Sequence, residues 1–241
     1  MDALYTAAAG LLTQHQVLQE AAGNIANQNS FGYLAQTTQV VGFLPQTVLA
    51  QGPLATHAIG QVISSQAVLS QYNVSPGTLR MTGEPADLAI SGSGFFVVRT
   101  PAGLAYTQDG RFHQDAKGQL VTAAGDVVLM ASGKPATMAP GPFDVSSEGA
   151  VTQNGIALGT LALADLPARG MKSLGSGLYQ APAGLPFTGN VVQGAVNTSN
   201  GSMTQETVGL MQAEEAYQSL TSLVNEESTR LKTAGALGVL G

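Results

Sequence analysis

Residues 4–25 carry apolar side chains at helical spacing and have nothing nearby in sequence to cover them. Leu4, Ala8, Leu11, His15, Leu18, Ala22 and Ile25 alternate steps of four and three, the a/d register of a coiled coil, with one histidine among apolar seats. A helix of about 24 residues is roughly 36 Å long, and alone it would present that stripe to water. Towards the other end of the chain, Leu210, Ala213, Tyr217, Leu220, Val224, Glu227 and Leu231 repeat the pattern, with Glu227 as the polar seat. The two segments are therefore expected to pair with each other. They flank a middle that already reads as a complete β structure.

That middle is built from short apolar or alternating runs at residues 87–90, 95–99, 104–107, 111–114, 119–122 and 127–130. Turn residues separate them, among them Asp109-Gly110, Lys117-Gly118 and Gly125-Asp126. Turns recurring about every eight residues describe antiparallel hairpins. A second group, residues 143–146, 150–152, 156–158 and 160–163, is punctuated by Glu148-Gly149 and Asn154-Gly155. The fold class expected is α+β: a central antiparallel β domain, sandwich- or barrel-like, flanked by N- and C-terminal helices that pair as a coiled coil. The domain boundaries expected are a terminal-helix assembly domain from residues 1–33 and 203–241, an extended connecting region from 34–75 and 186–202, and the β domain at 76–185. Residues 191–196 are expected to return to the stretch at 34–73, and residues 235–241 are too rich in glycine to continue a firm helix.

Charge narrows the function. Charged residues make up only 10% of the 241-residue chain, and a net charge of −6 offers no general attraction for nucleic acid or anionic lipid. Much of the surface is expected to be covered by protein. Before Arg80 there is no lysine or arginine, and the only acids are Asp2 and Glu20. A secretory signal peptide needs a basic n-region, so none is expected. No apolar run reaches the length of a membrane span. Cysteine is absent, which removes disulfides, thiolate metal sites and cysteine nucleophiles.

Known catalytic patterns do not fit. His15, His57 and His113 stand singly, without the one-turn spacing of a metal pair. Gly92-Ser93-Gly94 lacks its third glycine and precedes a strand, where a dinucleotide site needs a helix. Gly133-Lys134 has no phosphate-loop glycine at Val128. Ser93 is not in a nucleophile elbow, which needs a glycine two residues to either side, where Ser91 and Phe95 stand. Asp109 and Asp115 sit beside turn glycines, where aspartate serves the backbone. No catalytic residue, cofactor or metal is expected.

Three ordered blocks then point to a family. Gly10-Leu11-Leu12 is followed by asparagines Asn24, Asn27 and Asn29 and by Phe31-Gly32-Tyr33. Residues 82–98 read TGEPADLAISGSGFFVV and continue to Tyr106-Thr107-Gln108-Asp109-Gly110-Arg111-Phe112. Val196-Asn197-Thr198-Ser199-Asn200 precedes a helix with Met211, Ala213, Ala216 and Tyr217. On these blocks the chain resembles the axial proteins of the bacterial flagellum, the rod and hook basal-body group. Its opening residues and length resemble a rod protein more than a longer hook protein. Leu34 stands where the family usually has a basic residue, and Gly201 where it usually has an apolar one.

The resemblance implies a structural subunit of the basal-body rod, a drive shaft that transmits torque, with the paired helices inside a helical tube and the β domain outside. It implies export through the flagellar type III apparatus without a cleaved signal, localisation in the basal body, and contacts with itself and with other axial subunits, with no nucleic acid and no membrane insertion. The expected assembly interface is Leu4, Leu11, Leu18, Asn24, Ile25, Asn27, Leu210, Tyr217, Leu220, Val224 and Leu231. The apolar seats offset less than the chain entropy of ordering both segments, so the ends are expected to fold on assembly. A hook or junction protein is one alternative. A secreted β-domain hydrolase of cell-wall glycan is another, from a different class.

Overall fold

The structure is a computed structural model that describes residues 2–41, 45–51, 56–63, 67–182 and 184–238. Among them are two helices, α1 (Asp2–Ala26) and α2 (Met203–Gly238), separated in sequence by short strands whose described pairings are antiparallel. The chain divides into two compact units. One holds Met1–Ala22, Thr37–Ser70 and Gln205–Gly241; the other holds Gly23–Gln36 and Gln71–Thr204.

In the first unit, small residues let the helices meet. Ala7, Ala21 and Ala213 are buried, and a Cβ placed on Gly10 would lie 3.1 Å from Leu220 Cδ1. The most buried seats of α1 therefore include Ala7 and Ala21, whereas Ala8, His15 and Ala22 are exposed. Close approach of backbones favours the small side chains, and Leu11 and Leu18 stay half-buried at the margin. Glu20 is the polar anchor of this unit. Its carboxylate accepts hydrogen bonds from the hydroxyls of Thr38 and Ser70, and Gln16 Nε2 donates to Ser70 Oγ at 2.8 Å. Strand Gln36–Val41 pairs with Ala67–Tyr72, and Pro45–Gln51 with Thr56–Ile63.

The second unit is the β structure. Its largest sheet runs in the order Lys172–Gly175, Leu178–Gln180, Gly103–Thr107, Phe95–Thr100, Val127–Val128, Leu120–Val121, His113–Gln114, with Leu163–Ala164 also paired to Phe95–Thr100. A three-stranded sheet contains Asp144–Val145, Ala150–Gln153 and Ile156–Thr160. Asn154 and Gly155 both have positive φ, 52° and 76°, as a two-residue hairpin turn of type I′ requires.

Alternation along Phe95–Thr100 divides the interior. Phe96 and Val98 enter a core with Leu88, Ile90, Phe112, Leu120 and Val128, while Phe95 joins Leu34, Leu166, Met171 and Tyr179 in another. Edge-on ring contacts serve both cores: Phe96 meets Phe112 at 5.1 Å, and Tyr179 meets Tyr72 at 5.3 Å.

Two expectations change. Residues 191–196 do not return to the stretch at 34–73: Asn190–Gln193 pairs with Leu88–Ser91, and Ala195–Asn197 with Leu79–Met81. Val191 and Val196 are apolar and gain burial there, at 4% and 0% exposed. Likewise α2 continues through Gly235 to Gly238, with residues 239–241 outside the described part. A helical glycine costs only about 1 kcal/mol relative to alanine, too little to stop a helix of this length.

Candidate functional site

The asparagine-rich block after α1 is a polar clamp. Helix α1 ends where Asn27 N and Asn27 Nδ2 both donate to Gly23 O, at 3.1 and 2.9 Å. Asn24, 1% exposed, then uses its side-chain amide as a strand would use its backbone. Its Nδ2 donates to Gln36 O at 2.8 Å, and its Oδ1 accepts from Gln36 N at 2.9 Å and from Tyr33 Oη at 3.1 Å. A polar side chain this deep is stable because both its amide nitrogen and its oxygen find partners.

Two further asparagines close the clamp from the far end of the sequence. Asn197, fully buried, donates from Nδ2 to Ile90 O and accepts from Ile90 N, both at 2.8 Å, while its backbone O accepts from Gly32 N at 2.9 Å. Asn200 Oδ1 accepts from Ala35 N at 2.7 Å, and its Nδ2 donates to Asn73 O and Ser75 O at 2.7 and 2.6 Å. Leu34 N donates to Tyr179 Oη at 2.9 Å. Burial pushes the Tyr179 hydroxyl pKa well above its ordinary value of 10.0, against the opposing effect of that bond. Leu34 itself is fully buried beside Tyr179, a seat that suits an apolar side chain and would desolvate a basic one.

Between the two halves of the clamp, Gly32 is required. Its φ is +63°, and a Cβ there would fall 2.1 Å from Asp109 N. Phe31, one residue earlier, carries two guanidiniums on its ring, Arg111 at 4.3 Å and Arg80 at 4.6 Å. Asp109 holds Arg111 through two bonds, Nε to Oδ1 at 3.0 Å and Nη2 to Oδ2 at 2.7 Å, which raises the arginine pKa against a smaller lowering by burial. Phe31, Asp109 and Arg111 line a cavity of about 650 Å³ bounded also by other residues of the post-helix turn and by Thr107, Thr122, Asp126 and Ser176.

Nothing in this geometry is arranged for catalysis. Asp109 is taken by Arg111, and Asp115 Oδ1 accepts the turn amides of Lys117 and Gln119, both at 2.8 Å. Among the described residues no three metal-binding side chains gather.

The residues expected at an assembly interface take these positions. Asn24 is buried in the clamp; Asn27 caps the helix end; Leu11, Leu18, Ile25, Leu210, Leu220 and Val224 are half-buried; Tyr217 is exposed. Leu4 and Leu231 lie in the helices, and their side chains fall outside the described residues. Sequence reasoning missed Glu20, Gln36, Tyr179 and the pair Arg80–Phe31. The unusual isolation of Glu20 in an acid-free stretch was the available signal; Tyr179 and Gln36 carried none.

A family model described as the flagellar hook protein FlgE/F/G D1 domain matches residues 89–153, from the strand Leu88–Ser91 into the three-stranded sheet. The chain is 31% identical to the flagellar basal-body rod protein FlgF of Rhizobium meliloti over 242 residues, covering 96% of this chain and 95% of that protein. It is 29% identical to FlgF of Mesorhizobium japonicum, covering 98% of each chain, and 30% identical to the rod protein FlgG of Bacillus subtilis, covering 93% and 94%. The chain belongs to the flagellar basal-body rod protein family. It is a structural protein rather than an enzyme, as these relatives are. The clamp gives the family resemblance a physical content, since Asn24, Gly32, Asn197 and Asn200 all stand in the blocks that carried it.

Proposed function

We propose that this rod-family chain is exported without a cleaved signal and assembles helically through α1 and α2, pairing as a coiled coil within a shaft that transmits torque. Its partners are copies of itself, other axial subunits and the flagellar export apparatus. The observation that carries this reading is the apolar surface the helices leave uncovered. Leu12 on α1 is 74% exposed, and Met203, Val208, Met211 and Leu223 on α2 are 54%, 49%, 66% and 49% exposed. Large apolar side chains in number on one element mark a surface that partners cover. Together with half-buried Leu11, Leu18, Leu210 and Val224, they offer each helix more than one apolar face, as a subunit packed among several neighbours needs.

Placing a carboxylate at such a seat tests the reading. Leu18→Asp or Leu220→Asp is expected to abolish incorporation into basal bodies and swimming, while the circular dichroism of the β unit stays native. Full incorporation of both variants would refute assembly through these helices.

A further inference from the structure

Glu214 and Lys232 stand on one line along α2. The interval from 214 to 232 is five full turns at 3.6 residues per turn, or about 27 Å at 1.5 Å per residue. Both residues are exposed, and neither is held by an ion pair among the described residues. The helix offers neither of them a close partner in sequence. No acid stands within four residues of Lys232 and no base within four of Glu214, whereas Arg230 follows Glu226 at the favourable spacing of four. No other acid in the α2 sequence falls within about 70° of the line at 100° per residue. One face of the helix therefore carries an acid and a base too far apart to meet each other.

The two halves of that face also differ in bulk. Met211, within about 60° of the line on the Glu214 side, is 66% exposed. Around Lys232 the residues are shorter: Thr221, Asn225, Ser228 and Thr229. The threonine hydroxyls there are already spent within the helix. Thr221 Oγ1 donates to Tyr217 O and Thr229 Oγ1 to Asn225 O, both at 2.8 Å. A surface that reads as polar in sequence can thus be covered without orphaning those donors.

We propose that α2 of one copy of this chain packs in parallel against α2 of a second copy, displaced along the axis by about 27 Å, so that Glu214 of the first pairs with Lys232 of the second. The proposal rests on assembly through the terminal helices and fixes the register between neighbouring α2 helices. The other facing positions follow from the same displacement. Thr207 comes level with Asn225, and bulky Met211 with the short residues Ser228 and Thr229. A slip of one turn either way would set Lys232 level with Gln218 or Leu210 and leave both charges unmatched. Charge argues for a second copy, because one helix supplies both the acid and the base. Symmetry argues the same way. The contact joins different halves of the same element, so it is heterologous, and in parallel it repeats from subunit to subunit along a helix.

Cysteine is absent from the chain, so the register can be read by cross-linking. Thr207→Cys and Asn225→Cys are placed in separate, differently tagged copies and expressed together in flagellated cells lacking the natural protein. Basal bodies are then isolated and treated with a short bismaleimide. The expected product is a dimer carrying both tags. An antiparallel pair joined by the same two charges would hold these positions about 21 Å apart and give none. Glu214→Lys in the first copy, or Lys232→Glu in the second, should each lower the yield about ten-fold or more, since each sets like charges together. Combining the two should restore it, and that recovery separates lost pairing from a folding defect.

Incorporation of both tags without a doubly tagged dimer would overturn the proposal and leave the terminal-helix reading standing. So would cross-linking of Thr207→Cys to a different protein alone, or a yield indifferent to both charge changes. Absence of the tagged, cysteine-free parent from basal bodies would overturn the reading and the proposal together.

Discussion

Asn197→Ala isolates the cost of opening the clamp. The Asn197 side chain supplies both partners of Ile90, whose N–H and C=O are otherwise cut off from water: both residues are 0% exposed. Truncation removes two hydrogen bonds and orphans two buried backbone groups. Each orphan costs about 1–3 kcal/mol, so the expected loss is roughly 2–6 kcal/mol, a large part of a typical domain's 5–15 kcal/mol. Asn200→Ala supplies the comparison. Two of its three partners are the carbonyls of Asn73 and Ser75, on exposed residues that water can reach, and only the Ala35 N–H is left on a buried residue. Its expected loss is therefore smaller, on the order of 1–2 kcal/mol. Urea unfolding followed by far-ultraviolet circular dichroism reads both, using the transition of the β unit. A loss below about 1 kcal/mol for Asn197→Ala, or one no larger than for Asn200→Ala, would refute the claim that burial of Ile90's backbone sets the cost.

Gly32→Ala should be more damaging than its size suggests: the new methyl would sit 2.1 Å from Asp109 N in a left-handed backbone, and a loss of roughly 3 kcal/mol or more in the same urea assay is expected. Retention of wild-type stability would mean the turn can move away from residues 108–109. The Tyr179 hydroxyl gives a pH signature. Its pKa in the folded chain is raised, so the folded state holds the proton where the unfolded state has released it; stability is intact below about pH 10 and falls as pH rises beyond the unfolded tyrosine value. Tyr179→Phe should lower stability at neutral pH, because Leu34 N loses its acceptor, and should flatten that alkaline decline; an unchanged decline, measured by thermal unfolding from pH 8 to 11, would assign the slope to other groups.

The β unit was legible because its signals are local. Turn glycines and alternating apolar runs placed the strands at 95–100, 103–107, 150–153 and 156–160 within a residue or two, since hairpin chemistry acts between neighbours in sequence. The pairing of Leu79–Met81 with Ala195–Asn197 was not legible, because more than a hundred residues separate partners that contain no mutual signal. The face of α1 was partly legible. Its periodicity was plain, yet Ala7 and Ala21 are buried while Ala8 and Ala22 are exposed, so the buried face is turned by one residue from the expected stripe, a rotation that the spacing of apolar residues does not fix.

The candidate site divides the same way. The asparagines and Gly32 announced themselves as a turn after a helix, because residue type alone limits which backbone they favour. Their role as a clamp depends on partners drawn from Gln36, Ile90, Asn73 and Ala35, which only the folded chain gathers. By itself, then, the order of residues determined that this chain is a β structure between two helices with apolar stripes, with the marks of a flagellar axial protein. The tertiary structure decided which asparagines are buried, that Asp109 pairs with Arg111, and which apolar residues of the helices are exposed. Local backbone preference is written residue by residue, whereas burial and charge pairing are properties of surfaces that come into being when distant segments meet.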